Sequence, residues 1–89
     1  MKFMDRYPQM SAGEKGKVDL VYNSLICFAF QEMNAEDMHQ AEDIVWEEMQ
    51  FWNHSLVEEH VKLLARGHKF RLEIRESGRA VIRLTPRPE

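Results

Sequence analysis

The spacing of hydrophobic and polar residues changes once along the chain, near residue 68. Before that point hydrophobic residues recur at the three- and four-residue steps of a helix, and after it they alternate with polar ones as in a strand. The pattern predicts an α+β fold in one small domain over residues 1–89. Its parts are an N-terminal arm over 1–10, a helical region over 11–67 and a C-terminal two-stranded antiparallel β-hairpin over 68–85.

Three residues with short polar side chains divide the helical region, because such side chains accept hydrogen bonds from the free amides at a helix start. The predicted helices are 12–33 after Ser11, 35–52 after Asn34 and 56–66 after Ser55. Ser11 and Ser55 are each followed three residues later by a glutamate, which completes a capping box. Gly67 follows the third helix, where a left-handed residue commonly ends one.

The first predicted helix is hydrophobic on nearly every side. Ten hydrophobic residues between Val18 and Phe30 leave only narrow polar strips around the helix axis. Few elements of so short a chain are available to cover them, and a lone hairpin is only marginally stable. We therefore expect a homodimer that forms through this helix or through the hairpin edge. Cys27 lies in the middle of the hydrophobic run, so we expect a buried and reduced thiol there.

The second predicted helix is amphipathic but has two exceptions to its pattern. Trp46 projects from the edge of the polar side, and Glu48 falls within the hydrophobic arc. A solvent-facing indole resembles the aromatic anchors that dominate the binding energy of protein interfaces. The predicted partner-binding residues on this polar side are Glu36, His39, Asp43, Trp46, Glu47 and Gln50. A buried Glu48 requires a partner, for which Tyr22, His60 and a hairpin arginine are candidates.

A second interpretation of Trp46 is structural. The second helix would then be buried more broadly, with the indole against the N-terminal arm, whose Phe3, Met4 and Tyr7 also need cover. The acidic side would also allow mimicry of a phosphate array toward a basic protein surface, although most charged faces are simply solvated.

The hairpin has two alternative registers, which depend on the length of its turn. A two-residue turn places hydrophobic residues of one strand opposite polar residues of the other, whereas a three-residue turn at 76–78 pairs hydrophobic with hydrophobic. We therefore predict the second register, with the pairs Phe70 with Leu84, Leu72 with Ile82 and Ile74 with Ala80. The outer face of this hairpin is basic, and its residues are Lys69, Arg71, Arg75, Arg79 and Arg83.

Arginines face each other across the predicted hairpin, Arg71 beside Arg83 and Arg75 beside Arg79. Such like-charged pairs cost stability unless an anion lies near them. A nucleic acid, a partner protein or the acidic second helix, of this chain or of a second copy, would each supply one.

An alternative function follows from the order of three helices and a hairpin, which is also that of a winged helix-turn-helix. In a DNA-binding regulator of this kind the phosphate contacts would be Lys62, Arg66, Arg71, Arg79 and Arg83. The third helix also carries Glu58 and Glu59, however, and the acidic second helix would repel phosphates. These charges favour protein binding over DNA binding.

Signals for metal and catalytic sites are weak. Glu36 and His39 have the Glu-x-x-His spacing of carboxylate-bridged metal sites, but they face away from the hydrophobic stripe of their helix. His54, His60 and His68 lack the accompanying ligands of a zinc site, and we expect His60 to be a locally bonded core histidine. We therefore predict no catalytic residues, no metal and no cofactor.

Composition narrows the setting. The chain has 12 lysines and arginines against 15 aspartates and glutamates, and its basic residues are concentrated after residue 66. A single cysteine, no signal-like start and no bilayer-length hydrophobic run indicate a cytoplasmic protein without a membrane segment. We expect a non-enzymatic protein-binding module, a small regulatory or inhibitory protein that occludes a partner surface. In size and character it is similar to the inhibitors and adaptors of phages and mobile elements.

Overall fold

A computed structural model describes residues 2–74 and 80–86. In chain order it contains a 3₁₀ helix Phe3–Gln9, helices α1 (Ala12–Glu32), α2 (Met38–Met49) and α3 (His54–Ala65), and strands β1 (Lys69–Ile74) and β2 (Ala80–Thr85). The predicted α+β class is confirmed, with three α-helices ahead of one antiparallel pair of strands. The hairpin turn, with Arg75 and Arg79, lies outside the described residues. Among these residues, no helix has the length and apolar character needed to cross a membrane.

Helix α1 begins where the sequence predicts. The Oγ atom of Ser11 accepts a hydrogen bond from the Glu14 amide at 3.2 Å, as a capping side chain does. The helix ends at Glu32, and Asn34 then adopts a left-handed backbone with φ 56°. An N-cap residue needs an extended backbone, so the prediction that Asn34 caps the second helix is wrong.

Asp37 and Asn53 are the capping residues of α2 and α3. Both have an extended backbone, and each Oδ1 atom accepts a hydrogen bond at 2.8 Å from the amide three residues further on. Helix α2 is therefore shorter than predicted at its start. It also stops at Met49, because the chain must already be extended at Asn53 to begin α3. Ser55, the predicted cap, lies inside the first turn of α3.

The core lies between α1 and the two shorter helices. Helix α1 packs against α2 and α3 and contacts β1, while α3 contacts β2. Several residues of the first two helices have no exposed surface at all, at four-residue intervals in each helix: Val21, Leu25, Ala29, Ala41, Val45 and Met49. One face of each helix is thereby fixed as the buried face.

The N-terminal 3₁₀ helix covers one end of this core. Phe3 is buried, and its amide donates a hydrogen bond to the carbonyl oxygen of Gln50 at 3.4 Å. The Phe3 ring meets the His54 ring edge-on, with the ring centroids 5.2 Å apart. The hydroxyl of Tyr7 donates a hydrogen bond to Asp19 at 2.7 Å. The arm is therefore bound to the end of α2 and to α1.

His60 is a buried histidine that connects the hairpin to the helices, and its side chain is 8% exposed. Its Nδ1–H group donates a hydrogen bond to the carbonyl oxygen of Leu56 at 2.8 Å. The imidazole contacts the Trp52 ring at a centroid distance of 4.5 Å and stacks on Phe70 at 5.9 Å. The prediction of a locally bonded core histidine is confirmed.

Strands β1 and β2 pair in the predicted register. The pairs are Phe70 with Leu84, Leu72 with Ile82 and Ile74 with Ala80. Ile82 is buried, and Phe70 and Leu72 pack against the core. Burial of this face selects the register, because a slip by one residue would turn polar side chains toward the helices.

The side of α1 that faces away from the core is open to solvent. Cys27 is exposed, so the prediction of a buried thiol is wrong. The fully buried Val21 and Leu25 set the inward direction of α1, and Cys27 lies on the opposite side. Leu20 and Phe30 on this outer side retain 47% and 39% of their surface.

Candidate partner-binding surface

Helix α2 presents its polar side to solvent. Because Ala41, Val45 and Met49 are fully buried at four-residue intervals, the opposite side of the helix points outward. Glu36, at the head of the predicted set, precedes the helix and is exposed. The remaining predicted residues form what we call the α2 face, namely His39, Asp43, Trp46, Glu47 and Gln50, of which the first four are exposed and the last is partly exposed.

Trp46 stands out among the two tryptophans because 41% of its surface is exposed, whereas Trp52 is 8% exposed. Asp43 precedes Trp46 by three residues and Gln50 follows it by four, so both flank it on the helix surface. Trp46 therefore has solvent-accessible surface beside polar residues of α2. It offers a flat hydrophobic contact area with a polar N–H group at its edge.

The N-terminal arm is covered near the other tryptophan. A cleft of about 210 Å³ at the end of α2 is lined by Phe3 and Trp52, among others. Phe3 and Met4, which the structural interpretation of Trp46 placed against that indole, are buried. Trp46 itself keeps exposed surface, and the structural interpretation of this indole stays a prediction.

The electrostatic field around the α2 face is negative. Within the face, the Nε2 atom of His39 lies 3.7 Å from Oδ2 of Asp43. Burial raises the pKa of Tyr22 on α1 above its ordinary value of 10.0, and the carboxylates of Glu42 and Asp43 raise it further. Carboxylates of α2 thus lie close enough to Tyr22 of α1 to raise its pKa.

A simple sequence signal underlies this field. No lysine or arginine lies between Lys17 and Lys62, whereas ten aspartates and glutamates do. When the charges of the whole helical region are counted together, the lysines at its start obscure this contrast between acidic and basic residues. Glu48 belongs to the same segment; it is only partly exposed and it has an interaction partner, as its place in the hydrophobic arc predicts.

The hairpin partly compensates its own positive charge. Arg71 lies opposite Arg83 as predicted, and Lys69 is exposed beside them. The Nε atom of Arg83 lies 2.8 Å from the buried Oε2 atom of Glu73, an ion pair outside hydrogen-bond geometry. One arginine of the facing pair therefore has an anionic neighbour within the hairpin itself.

Helix α3 has a mixed surface charge. Lys62 and Arg66 are exposed, and so are Glu58 and Glu59. Glu58 accepts a hydrogen bond from Lys17 of α1 at 3.0 Å. The helix that would enter a DNA groove in the alternative function is thus not a continuous basic surface.

Polar and metal-ligating side chains also lie outside the α2 face in the described part of the chain. Within it, no three histidine, cysteine, aspartate or glutamate side chains are placed to hold a metal ion. A cleft with a volume of about 470 Å³ lies between α1, the end of α3 and β1. Its polar lining includes Cys27, Glu32, His68 and Lys69.

No protein-family model matches the chain, and no curated protein or solved structure is significantly similar to it.

Proposed function

We propose that this protein is a non-enzymatic protein-binding module that uses the α2 face to occlude a basic surface on another protein. The observation that carries the proposal is the exposed indole of Trp46 within an acidic helix face. Tryptophan is among the residues most enriched at the energetic centres of interfaces. Asp43 and Glu47, the acidic residues of this face, would meet lysines or arginines of the partner.

The two kinds of residue on the α2 face would do different work. Removal of an anchoring tryptophan commonly costs about 2 kcal/mol or more, mostly through faster dissociation. The carboxylates would speed association by attracting a basic partner, an effect that weakens as salt is added. An occluding module needs both, because it must find its target quickly and remain on it.

Charge argues against nucleic acid as the ligand of this face. Phosphates would be repelled by the α2 face, and α3 mixes Lys62 and Arg66 with two exposed glutamates. A small cytoplasmic regulator or inhibitor that acts by covering its target is the function that fits these charges. Binding through the hairpin, including DNA binding, is then an outcome that the experiment must distinguish.

The experiment is affinity capture from host extract with the full chain as bait, run with and without nuclease. Trp46→Ala is expected to lower the affinity for the captured protein by about 30-fold, which corresponds to about 2 kcal/mol. Phe51→Ala is the matched control, because Phe51 is also an exposed aromatic residue but is not one of the residues of the α2 face. It should leave the affinity unchanged.

Two outcomes would contradict the proposal. If Trp46→Ala leaves the capture undiminished, the α2 face does not take part in the interaction. Capture that disappears on nuclease treatment, and that is lost in Arg71→Ala rather than in Trp46→Ala, would favour the DNA-binding alternative.

A further inference from the structure

Helix α1 carries a straight line of exposed residues on the side away from the core. From Gly13 to Phe30 the spacing alternates between three and four residues, the period that keeps side chains on one narrow stripe of a helix. We call this line the α1 seam; its residues, all exposed, are Gly13, Gly16, Leu20, Asn23, Cys27 and Phe30.

The α1 seam is uncharged, although charged residues make up 30% of the chain. The two charged residues that border it are both engaged within the chain. Lys17 lies 3.0 Å from Glu58, and Asp19 accepts the hydrogen bond from Tyr7. A neutral stripe with an exposed leucine and phenylalanine has the character of a docking surface.

The two glycines of the seam lack a structural reason inside the chain. A glycine within a helix costs about 1 kcal/mol relative to alanine. Gly13 and Gly16 are both in α1, and a Cβ atom at either position would meet no described atom of this chain within 4 Å. Close approach of something outside the chain would explain the absence of side chains there.

We propose that two copies of this chain pair through the α1 seam with their α1 helices antiparallel. A two-fold interface must be complementary to itself, since the same patch lies on both sides. The seam is narrow at its start, where the glycines lie, and wide at Phe30. Only an antiparallel arrangement sets the wide end of each copy against the narrow end of the other.

The antiparallel arrangement gives six layers of paired residues. Counted along the seam from opposite ends, the facing pairs are Gly13 with Phe30, Gly16 with Cys27 and Leu20 with Asn23, each formed twice. The two Asn23 side chains lie about 4.5 Å apart along the axis, within reach of each other's amides. A polar residue of this kind within a helical seam specifies one register. In a parallel pair, by contrast, Phe30 would meet Phe30 and the glycine ends would splay apart.

A second copy fits this seam better than an unrelated partner does. The taper of the seam from its glycines to Phe30 is complementary to the same taper on an antiparallel second copy. If the α2 face met its own copy, carboxylates would come together, and if the hairpin met its own copy, Arg71 and Arg83 would come together. The neutral seam brings no like charges together when it meets its own copy.

Disulfide formation distinguishes antiparallel from parallel α1 helices in the dimer. The full chain carrying Gly16→Cys, oxidised with diamide, is expected to form a covalent dimer, because the introduced thiol faces Cys27 of the second copy. The wild-type chain should not crosslink, since its two Cys27 thiols would be separated by 11 residues of helix, about 16 Å. The same separation prevents a bond within one chain. Glu59→Cys, exposed on α3, is the matched control and should remain monomeric on a non-reducing gel.

Light scattering of the wild-type chain tests the pairing without any substitution, and a dimer is expected. Leu20→Glu should raise the dissociation constant of the dimer at least about 10-fold, because it places carboxylates in the seam. Circular dichroism should show unchanged helix content, because Leu20 lies outside the core. A monomer at millimolar concentration would overturn the proposal, and so would a wild-type dimer crosslinked through Cys27, which requires parallel helices. Neither result depends on what the α2 face binds.

Discussion

The Nζ atom of Lys17 lies 3.0 Å from the Oε1 atom of Glu58 and connects α1 to α3. The hydrogen bond from this ammonium is the main reason that the pKa of Glu58 lies below its ordinary value of 4.5. Both side chains are about half exposed, so the pair contributes modestly to stability at neutral pH.

This ion pair predicts a defined pH dependence. Since the folded pKa of Glu58 is depressed, the stabilisation is complete above the unfolded value near 4.5 and is lost as pH falls through the folded value. Lys17→Met should therefore be slightly less stable than wild type at neutral pH and equal to it in acid. Urea unfolding from neutral pH to about pH 2 measures the difference. Glu59→Gln is the control, because it removes a neighbouring glutamate that is not part of this ion pair. A difference in the free energy of unfolding between Lys17→Met and wild type that persists in acid would contradict the prediction.

Removing the buried imidazole should destabilise the fold strongly. His60→Ala deletes the contacts with Trp52 and Phe70 and is expected to cost about 2–4 kcal/mol in the free energy of unfolding. His39→Ala removes a side chain that is 87% exposed and should change stability by less than about 0.5 kcal/mol. Thermal or urea unfolding of the two variants tests this contrast, and similar losses in both would contradict it.

Two glycines of α1 should accept alanine with a gain in stability. Gly13→Ala and Gly16→Ala are each expected to add about 1 kcal/mol to the stability of the monomer, because the new methyl groups enter open space. Gly67→Ala should instead lose about 1 kcal/mol or more, because its backbone has φ 86°. The measurement is urea unfolding in the Leu20→Glu background, where pairing through the α1 seam is removed. A loss of stability at Gly13 or Gly16 there would contradict the open space found beside them.

The helix caps can be tested individually. Asp37→Ala and Asn53→Ala are each expected to cost about 1 kcal/mol, since each deletes a hydrogen bond to a free helix amide. Ser55→Ala should be close to neutral, because Ser55 lies within the first turn of α3 and does not cap it. Equal losses of stability for Ser55→Ala and Asn53→Ala, measured by thermal unfolding, would show that Ser55 caps α3 as the sequence predicts.

Fluorescence quenching can detect the field around Trp46. In a Trp52→Phe variant, which leaves Trp46 as the one emitting indole, caesium ions should quench more efficiently than iodide at low salt. The reason is that nearby carboxylates, Asp43 among them, attract the cation and exclude the anion. The difference should shrink as sodium chloride is added. Equal quenching by both ions at low salt would show that no negative field surrounds the indole.

Features that depend on local pattern were predictable from the sequence. The hairpin register followed from alternation and turn length, and His60 followed from its place on the inner face of α3. The exposed Trp46 followed from the helical period of α2. Each of these depends on residues a few positions apart, where the geometry of a helix or strand dictates the neighbours.

Two kinds of feature were not predictable: those in which two structural roles compete for one residue, and those that depend on contacts between residues far apart in the sequence. Asn34 has a side chain suited to capping, but it is needed to end α1 and its left-handed backbone excludes the second role. Cys27 lies in a hydrophobic run, yet the buried direction of α1 is set by residues that meet α2 and α3. The contact between Lys17 and Glu58 joins residues 41 positions apart and has no local signature.

The way α2 is held has a thermodynamic consequence for any interaction of its outer face. Ala41, Val45 and Met49 have no exposed surface, so the backbone beneath Trp46 is already ordered before an encounter. A segment that folds only on contact loses a few kcal/mol of its interaction energy to conformational entropy, and this helix avoids that loss. A short acidic peptide with the sequence of α2 alone should therefore be a much weaker competitor than the intact domain.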